Sequence, residues 1–309
     1  MVFSRLKILA KTFAKVNPRL KVLGKLDDGY HELDISFLSI TLADRMTFQS
    51  SGHGDIRLMT EADISPEENL CYRAARKLRR TCSVDQGADI YLEKRIPIGG
   101  GLGGGSSDAA TTLICLNRLW DCNLSRRELV EIGEEFGADV PFFFYGGYCV
   151  GKGKGSELRK KGNVFRDRFI PLILPPFPQL TSEVYARFDK LTNRTDKRPP
   201  RGDSESGPLL GGDLTIENDL QQASLELNPE LEKYLDLFEK AATVESAGVA
   251  GSGSSIFGIS CKDTSPGDIE EELNEGLSAI SEEAKLIVTR PTNLGQMIRE
   301  QGKLYAGND

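Results

Sequence analysis

Residues 97–108 read Pro-Ile-Gly-Gly-Gly-Leu-Gly-Gly-Gly-Ser-Ser-Asp, and this stretch decides the fold. Its glycines leave backbone N–H groups uncovered by side chains and tolerate the positive φ angles that a wrapping loop needs. Ser106 and Ser107 open a helical pattern, and the unpaired N–H groups and dipole of a first helical turn attract anions. The stretch therefore predicts a phosphate-binding loop. The alternative is a flexible surface linker.

The sequence on either side favours the phosphate loop. Residues 89–94 have the composition of a short strand, which Pro97 cannot continue, and apolar residues recur at helical spacing from Ala109 to Trp120. A P-loop would need a lysine directly after the glycines, and a dinucleotide-binding fingerprint would need a βαβ setting. The sequence shows neither, which leaves an ATP-type phosphate loop of another architecture.

Composition limits the classes of protein to which the chain can belong. The 309 residues are 39% hydrophobic and 28% charged, with a net charge of −7, and no apolar run approaches the ~18 residues of a membrane span. Six scattered cysteines lack the spacing of a zinc site, which favours reduced thiols. We expect a soluble, cytoplasmic protein, a monomer or a weak homodimer, that binds neither nucleic acid nor a membrane.

Helices and strands alternate irregularly, which predicts an α+β fold rather than a doubly wound sheet. Ser65 begins a Ser-Pro-Glu-Glu sequence that is typical of a helix start, with proline at the first helical position. Ser125 begins a second one, in which Glu128 completes a capping box. Both helices are predicted to carry a buried apolar stripe.

A break in composition near residue 155 predicts a domain boundary. We expect an N-terminal domain at 1–155, a C-terminal domain at 156–290 and a tail at 291–309. Residues 194–213 are rich in proline, glycine and charge, and predict an exposed loop within the second domain.

Four ordered motifs and a second glycine loop are similar to those of one enzyme family. The glycine loop reads Pro-x-x-x-Gly-Leu-Gly-x-x-Ser-Ser, and residues 251–254 form a second, Gly-Ser-Gly-Ser, loop. Residues 14–17 read Ala-Lys-Val-Asn, residues 28–33 read Asp-Gly-Tyr-His-Glu-Leu, and residues 137–143 read Gly-Ala-Asp-Val-Pro-Phe-Phe. In the order and spacing of these motifs, the sequence resembles the GHMP small-molecule kinases over nearly its whole length.

The resemblance implies a fold and an activity. The fold would join an N-terminal ribosomal-protein-S5-like ATP-binding domain to a C-terminal ferredoxin-like α/β sandwich, with the site in the cleft between them. The activity would be transfer of the ATP γ-phosphoryl group to a hydroxyl, with Mg²⁺. Tyr30 and His31, with Gly-Gly-Gly-Ser-Ser in the loop, favour the members whose acceptor is a cytidine diphosphate-linked small molecule. The alternatives are a GHMP kinase of homoserine, mevalonate or a sugar, and a nucleotide-binding regulator that has lost catalysis.

Asp139 is the candidate catalytic base. It follows a helix-ending glycine and precedes an apolar run, so desolvation would raise its pKa and a nearby lysine would lower it again. The alternative is a carboxylate that only turns the chain. The resemblance gives Asp139 the catalytic role and makes Lys15 its partner, which would stabilise charge on the transferring group. Asn17 is expected to hydrogen-bond the substrate, although Pro18-Arg19 follows it where the family has an apolar residue.

The resemblance assigns ATP to the glycine loop. Ser107 is a candidate ligand of the metal or the β-phosphate, and Asn69 matches a family position near adenine. Asp108 could compete as base or metal ligand, although acidic residues in a first helical turn commonly pair only with the helix dipole. The predicted ATP-binding residues are Pro97, Ile98, Gly99, Gly100, Gly101, Leu102, Gly103, Gly104, Gly105, Ser106, Ser107 and Asn69.

The resemblance also places a cytidine pocket at Tyr30 and His31. His31 would hydrogen-bond the cytosine edge while an aromatic ring stacks on the base. The alternative is a histidine that is satisfied within a turn. Tyr185 matches a family aromatic on the other side of the base. The predicted substrate-binding residues are Asn17, Tyr30, His31, Thr181, Tyr185, Gly251 and Gly253.

Overall fold

The computed structural model describes residues 7–51, 54–192, 214–300 and 303–306, so the predicted loop at 194–213 lies outside the described residues. Within these ranges the chain forms two sheets with helices packed on them. The strands are β1 (Lys7–Val16), β2 (Arg19–Lys25), β3 (His31–Ser50), β4 (Ile56–Thr60), β5 (Ala88–Glu93), β6 (Tyr148–Lys152), β7 (Glu157–Lys161), β8 (Ile170–Leu174), β9 (Glu217–Asn218), β10 (Val244–Val249), β11 (Ile256–Ser260), β12 (Lys285–Thr289), β13 (Gln296–Glu300) and β14 (Lys303–Ala306). The helices are α1 (Leu70–Thr81), α2 (Gly104–Leu119), α3 (Arg126–Glu134), α4 (Val140–Tyr145), α5 (Thr181–Thr192), α6 (Gln221–Leu227), α7 (Leu231–Lys240) and α8 (Pro266–Ile280).

The long strand β3 organises the first sheet. Its first part pairs with β2 on one edge and β6 on the other, and its second part pairs with β1 and β5. The main path runs β14-β13-β1-β3-β2-β9, with β5-β4 and β6-β7 branching from β3. A shift in the β1–β3 register after Phe13 marks an irregularity between the two parts. One strand therefore connects the two halves of this sheet.

Helices α1 to α4 pack together over the first sheet, with α2 against both β1 and β3. Every residue of α2 from Ala109 to Leu116 is buried. A helix that is buried all round belongs to the core, so the N-terminus of α2 has a fixed position beside β1. No helix in the described ranges is long and apolar enough to cross a membrane.

The two predicted helix starts have different outcomes. Ser125 caps α3, and its reciprocal hydrogen bonds with Glu128 confirm the capping box. Helix α1 instead begins at Leu70, because the Asn69 side chain accepts the Cys71 N–H at 2.9 Å. Ser65 and the residues after it form only a turn, closed by a backbone bond to Ser65 O. The prediction of a helix from Ser65 was therefore wrong, since a second cap follows four residues later.

The second sheet has the order β10-β11-β8-β12, with antiparallel pairs throughout. Helix α7 packs on β10 and β11, and α8 packs on α7 and β12. Phe238 of α7 and Leu273 of α8 lie in its core and are fully buried. Two separate sheets with helices on them confirm the predicted α+β class.

The predicted tail at 291–309 is part of the first sheet as far as residue 306. Strand β13 pairs with β1 antiparallel, and β14 pairs with β13. Ile298 of β13 is fully buried in the core under the helices, which explains why this segment is held. Strand β7, beyond the predicted boundary at 155, also pairs within the first sheet. The sheets therefore divide the chain differently from the predicted ranges.

We predict that Gly295→Ala destabilises the fold. A Cβ at Gly295 would lie 1.9 Å from the Phe143 carbonyl oxygen, so the backbone before β13 would have to move away from α4. Overpacking of this kind costs about 1–3 kcal/mol or more. Urea unfolding measures the loss, with Gly162→Ala as the control because a Cβ there meets nothing within 4 Å. Equal stability of the two variants would contradict the prediction.

Candidate active site

The glycine loop leads from β5 into the buried helix α2. Gly99, Gly101 and Gly103 have φ values of 71°, 74° and 71°, which lie in the left-handed region that glycine adopts without strain. Gly103 caps α2, and no side chain hydrogen-bonds the first turn. The N–H groups of that turn are therefore free of side-chain caps, which is the arrangement that a helix N-terminus offers to phosphate.

A second glycine loop, Ala250–Ser255, joins β10 to β11 and packs directly on the first. Ser254 N–H donates to Gly99 O at 3.3 Å, and Ser255 N–H donates to Gly100 O at 3.2 Å. A Cβ at Gly101 would lie only 1.9 Å from Ala250 O. The two loops are therefore in backbone-to-backbone contact, and their meeting point closes one side of the cleft between the two sheets.

A cavity of about 1020 Å³ lies beside these loops and brings most of the predicted site residues together. Ser107 and Gly253 do not line it. Ser107 is buried with its hydroxyl unbonded among the described residues, and Gly253 faces Gln179 and Ser224 behind the second loop. The predicted residues that line the cavity are Lys15, Asn17, Tyr30, His31, Asn69, Pro97, Ile98, Gly99, Gly100, Gly101, Leu102, Gly103, Gly104, Gly105, Ser106, Asp139, Thr181, Tyr185 and Gly251.

Lys15 and Asp139 meet in this cavity. Lys15 lies in β1 and is 4% exposed, and its Nζ is 3.3 Å from Asp139 Oδ2. The same Nζ donates to Gly101 O and to Asn17 Oδ1, each at 2.8 Å. The Asp139 side chain is 34% exposed at the start of α4 and caps no helical N–H. The pair thus joins a fixed ammonium beside the phosphate loop to a carboxylate that is open to the cavity.

Asn17 has a different position from the one expected for a substrate ligand. Its carboxamide oxygen accepts from Lys15, and its nitrogen donates to Ser36 O at 3.0 Å. The residue is 1% exposed. Asn17 borders the cavity, but these two bonds orient Lys15 rather than reach outward. After Pro18 the chain enters β2, where Arg19 forms ion pairs with Asp34 and Glu217.

The aromatic residues lie at another part of the cavity. His31 and Tyr185 stack on each other, with ring centroids 4.6 Å apart and planes at 26°. Burial raises the pKa of Tyr185, and the negative charge of Asp139 raises it further. Tyr30 is 57% exposed, and the Lys154 ammonium lies 4.4 Å from its ring centroid. The stacked pair leaves no space for a base between its own rings, whereas the Tyr30 ring is largely exposed.

Asp189 and Lys25 belong to this aromatic end and were missed from the sequence. Asp189 Oδ1 is 2.7 Å from His31 Nε2, and its Oδ2 accepts from Lys25 Nζ at 2.5 Å. Burial raises the pKa of Asp189, but the bonds from Lys25 and His31 outweigh burial and lower it overall. Asp189 follows Tyr185 by four residues on α5, a spacing that places both on one helix face. That spacing was the signal available in the sequence.

A buried charge cluster lies under the start of α2 and was also missed. Lys94 Nζ donates to Asp108 Oδ2 at 2.8 Å and forms a second, short bond with Asp44. Thr12 Oγ1 donates to Asp108 Oδ1 at 2.5 Å. Burial raises the pKa of Asp108 to about 6. Both carboxylate oxygens of Asp108 are thus bonded within the protein, where they hold Lys94 close to Gly104.

Comparisons with known proteins agree on one family. The model for the GHMP kinases N terminal domain matches residues 69–147, and the model for GHMP kinases C terminal matches residues 204–279. A 4-diphosphocytidyl-2-C-methyl-D-erythritol kinase from Thermodesulfovibrio yellowstonii is 37% identical over 82% of this chain and 89% of its own length. The same kinase from Pelotomaculum thermopropionicum is 36% identical over 93% of this chain and 98% of its own length.

Solved structures extend the comparison. A 4-(cytidine 5'-diphospho)-2C-methyl-D-erythritol kinase has a TM-score of 0.68 at 28% identity, covering 91% of this chain and 99% of its own. A homoserine kinase from Cytophaga hutchinsonii has a TM-score of 0.71 at 17% identity, covering 97% and 98%, and at that identity it shows the fold alone.

The fold and the site define a kinase of the GHMP class, with a phosphate loop at a helix N-terminus and a lysine–aspartate pair beside it. The identity and coverage of the relatives go further. The chain belongs to the GHMP kinase family, in its branch of 4-diphosphocytidyl-2-C-methyl-D-erythritol kinases. The family and the two-domain fold predicted from the sequence motifs are confirmed.

We predict that Gly101→Ala abolishes tight binding of ATP while the fold remains stable enough to purify. The new methyl group would collide with Ala250 O, and the residue would be strained at its φ of 74°, so the two loops would separate. Calorimetry with ATP measures the effect. Gly267→Ala on α8 is the control, because Gly267 does not line the cavity and its Cβ would meet only Ser265 at 3.7 Å. Unchanged affinity in a folded Gly101→Ala protein would show that the contact between the loops is dispensable.

Proposed function

We propose that this kinase transfers the γ-phosphoryl group of ATP to the 2-hydroxyl of 4-diphosphocytidyl-2-C-methyl-D-erythritol, a step of the non-mevalonate route to isoprenoid precursors. The observation that carries the proposal is one cavity lined by the phosphate loop, by the Lys15–Asp139 pair and by the stacked rings of Tyr185 and His31. Two relatives that are named 4-diphosphocytidyl-2-C-methyl-D-erythritol kinase, 37% and 36% identical to this chain, support the proposal.

Asp139 acts as the base in this proposal. Its carboxylate removes the proton of the acceptor hydroxyl as the hydroxyl oxygen attacks the γ-phosphorus. The new oxygen–phosphorus bond forms while the bond from the γ-phosphorus to the β–γ bridging oxygen breaks, and ADP leaves. Lys15 is fixed by Gly101 O and Asn17, so its ammonium is in place for the charge that develops on the transferring group.

ATP binds with its phosphates at the glycine loop, where uncapped N–H groups at the start of α2 meet them. Mg²⁺ would neutralise phosphate charge, and it takes oxygen ligands, often one or two protein groups with the phosphates. The Ser106 hydroxyl supplies an oxygen donor at the cavity wall, so this residue would hold such an ion together with the phosphates. Ser107, the candidate from the sequence, is buried away from the cavity, which makes Ser106 the better hydroxyl ligand.

The cytidylyl half occupies the aromatic end. Asp189 holds His31 Nε2, so the proton of a neutral ring lies on that nitrogen and Nδ1 remains an acceptor for the amino group of cytosine. The exposed face of Tyr30 can stack on the base. A kinase of homoserine or mevalonate binds no nucleobase as acceptor and would not need the aromatic end. A regulator without catalysis would not need the Lys15–Asp139 pair.

We also propose that the protein is cytoplasmic and acts without nucleic acid. All six cysteines are free thiols, and burial raises the pKa of Cys71 and Cys115. Free thiols are the usual state of a reducing compartment. The net charge of −7 disfavours binding to a polyanion such as nucleic acid.

We predict that Asp139→Asn lowers kcat by at least about a hundredfold and leaves the binding of ATP and substrate intact. The asparagine side chain keeps the shape of the aspartate but cannot accept the proton of the hydroxyl. A coupled ADP-release assay gives kcat, and calorimetry gives the two affinities. Glu68→Gln is the control, a carboxylate on the cavity wall that bonds the Ser65 hydroxyl. A kcat near that of the unmutated protein would remove Asp139 from the role of base.

We predict that the cytidylyl half supplies much of the binding energy. Stacking contributes roughly 1–3 kcal/mol per base, and an unmade buried hydrogen bond costs on the order of 1–3 kcal/mol more. The truncated 2-C-methyl-D-erythritol 4-phosphate should therefore lose at least about a hundredfold in kcat/KM. Asp189→Asn should raise KM for the full substrate about tenfold or more, with little effect on the truncated one.

Two comparisons decide this prediction. Glu183→Gln, an exposed acid on the same helix, should leave both substrates unaffected. Equal losses for Asp189→Asn on both substrates would show that the His31 end does not contact the base. Turnover of homoserine or mevalonate at the rate of the cytidylyl substrate would overturn the proposed function itself.

A further inference from the structure

The first sheet has a second face, turned away from α1 to α4. Ala10, Met46 and Leu92 are buried toward the helices. Because successive side chains of a strand point to opposite faces, their neighbours in β1, β3 and β5 point the other way. On this outer face Leu9 and Tyr91 are 41% and 44% exposed, and the face forms a shallow hollow of about 890 Å³. The outer face is therefore an open surface in the part of the chain that the structure describes.

The strand register arranges the charges on the outer face in a row. Lys11 lies opposite Arg45, and Arg45 lies opposite Glu93. Thr60 of β4 is paired with Leu92, so Glu61 comes next to Glu93. Across the adjacent strands β1, β3, β5 and the end of β4 the row therefore reads positive, positive, negative, negative.

A second row lies two residues further along these four strands and carries no charge within them, while Arg299 of β13 lies opposite Leu9 at its end. Leu9 is opposite Thr47, Thr47 is opposite Tyr91, and Tyr91 is beside Met59. Leu9 and Tyr91 are among the exposed large hydrophobic side chains of the protein. The outer face thus combines a row of two positive and two negative charges with a largely apolar row beside it.

We propose that the outer face of the first sheet is a self-complementary surface on which two copies of this chain pair face to face. A two-fold axis parallel to the strands, between β3 and β5, places β3 against β5 of the second copy and β1 against its β4. Arg45 then faces Glu93, and Lys11 faces Glu61. In the apolar row Leu9 faces Met59. A shared patch of this kind is what an isologous interface requires.

The register selects this axis over its neighbours. An axis along β3 would place Arg45 against Arg45 of the second copy, and like charges in contact oppose association. An axis between β3 and β5 brings every charge of the row against one of opposite sign. Four strands about 4.8 Å apart give a face roughly 20 Å wide, so the area that the pair can bury is that of a weak, transient interface. The pair is therefore weak and forms with rising concentration.

The test uses two charge-reversed proteins. The acidic protein carries Lys11→Glu and Arg45→Glu, and the basic protein carries Glu61→Lys and Glu93→Arg. Each alone presents a row of one sign, so each should be monomeric at concentrations where the unmutated chain dimerises. Mixed together they should form a heterodimer at least as tight as the unmutated pair. Sedimentation velocity over a concentration series measures all four cases.

Matched control proteins separate the effect of the charged row from the effect of a change in net charge. Arg126→Glu with Arg127→Glu, and Glu131→Lys with Glu134→Lys, make the same charge changes on the exposed face of α3. These proteins should dimerise like the unmutated chain. ATP turnover by the acidic and basic proteins verifies that each is folded. The proposal fails if the unmutated chain stays monomeric, if the mixture does not associate, or if the controls lose association equally.

Discussion

The contact between the two glycine loops is the constraint on which the site depends. Backbone atoms of Gly99 and Gly100 bond directly to the second loop, and Gly101 has no room for a side chain against Ala250. The Lys15 N–H donates to Leu102 O at 3.0 Å, which ties β1 to the same junction. Main-chain contacts do not change with side-chain rotamers. The first glycine loop, Lys15 and the second sheet are therefore positioned together by one junction.

Four lysines contribute positive charge to the cavity of an acidic protein. Each is held by carboxylates: Lys15 by Asp139, Lys25 by Asp189, Lys94 by Asp44 and Asp108, and Lys154 by Asp28. The carboxylates differ in their exposure, because the Asp108 side chain is 2% exposed whereas the Asp139 side chain is 34% exposed. A chain with a net charge of −7 thus binds anions through individually placed ammonium groups rather than through a basic surface.

The sequence predicted what depends on neighbouring residues and missed what depends on strand pairing. The glycine loop, its strand and its helix are consecutive, and their chemistry is readable from composition. The approach of Lys15 to Asp139 came from family resemblance, because Lys15 lies in β1 and Asp139 at the start of α4, and only tertiary packing brings them together. The bond between Lys94 and Asp44 depends on how β5 lies beside β3. The C-terminal strand was missed because its partner, β1, lies at the other end of the described chain.

That pairing of β13 with β1 has a consequence for biosynthesis. Strand β1 is synthesised before β13, so the edge of β1 that pairs with residues 296–300 stays unpaired until those residues have left the ribosome. An unpaired edge offers its N–H and C=O groups to any other strand. The nascent protein therefore exposes a strand edge that other chains can pair with until β13 has been synthesised. Pairing of β13 then completes the sheet that holds Lys15.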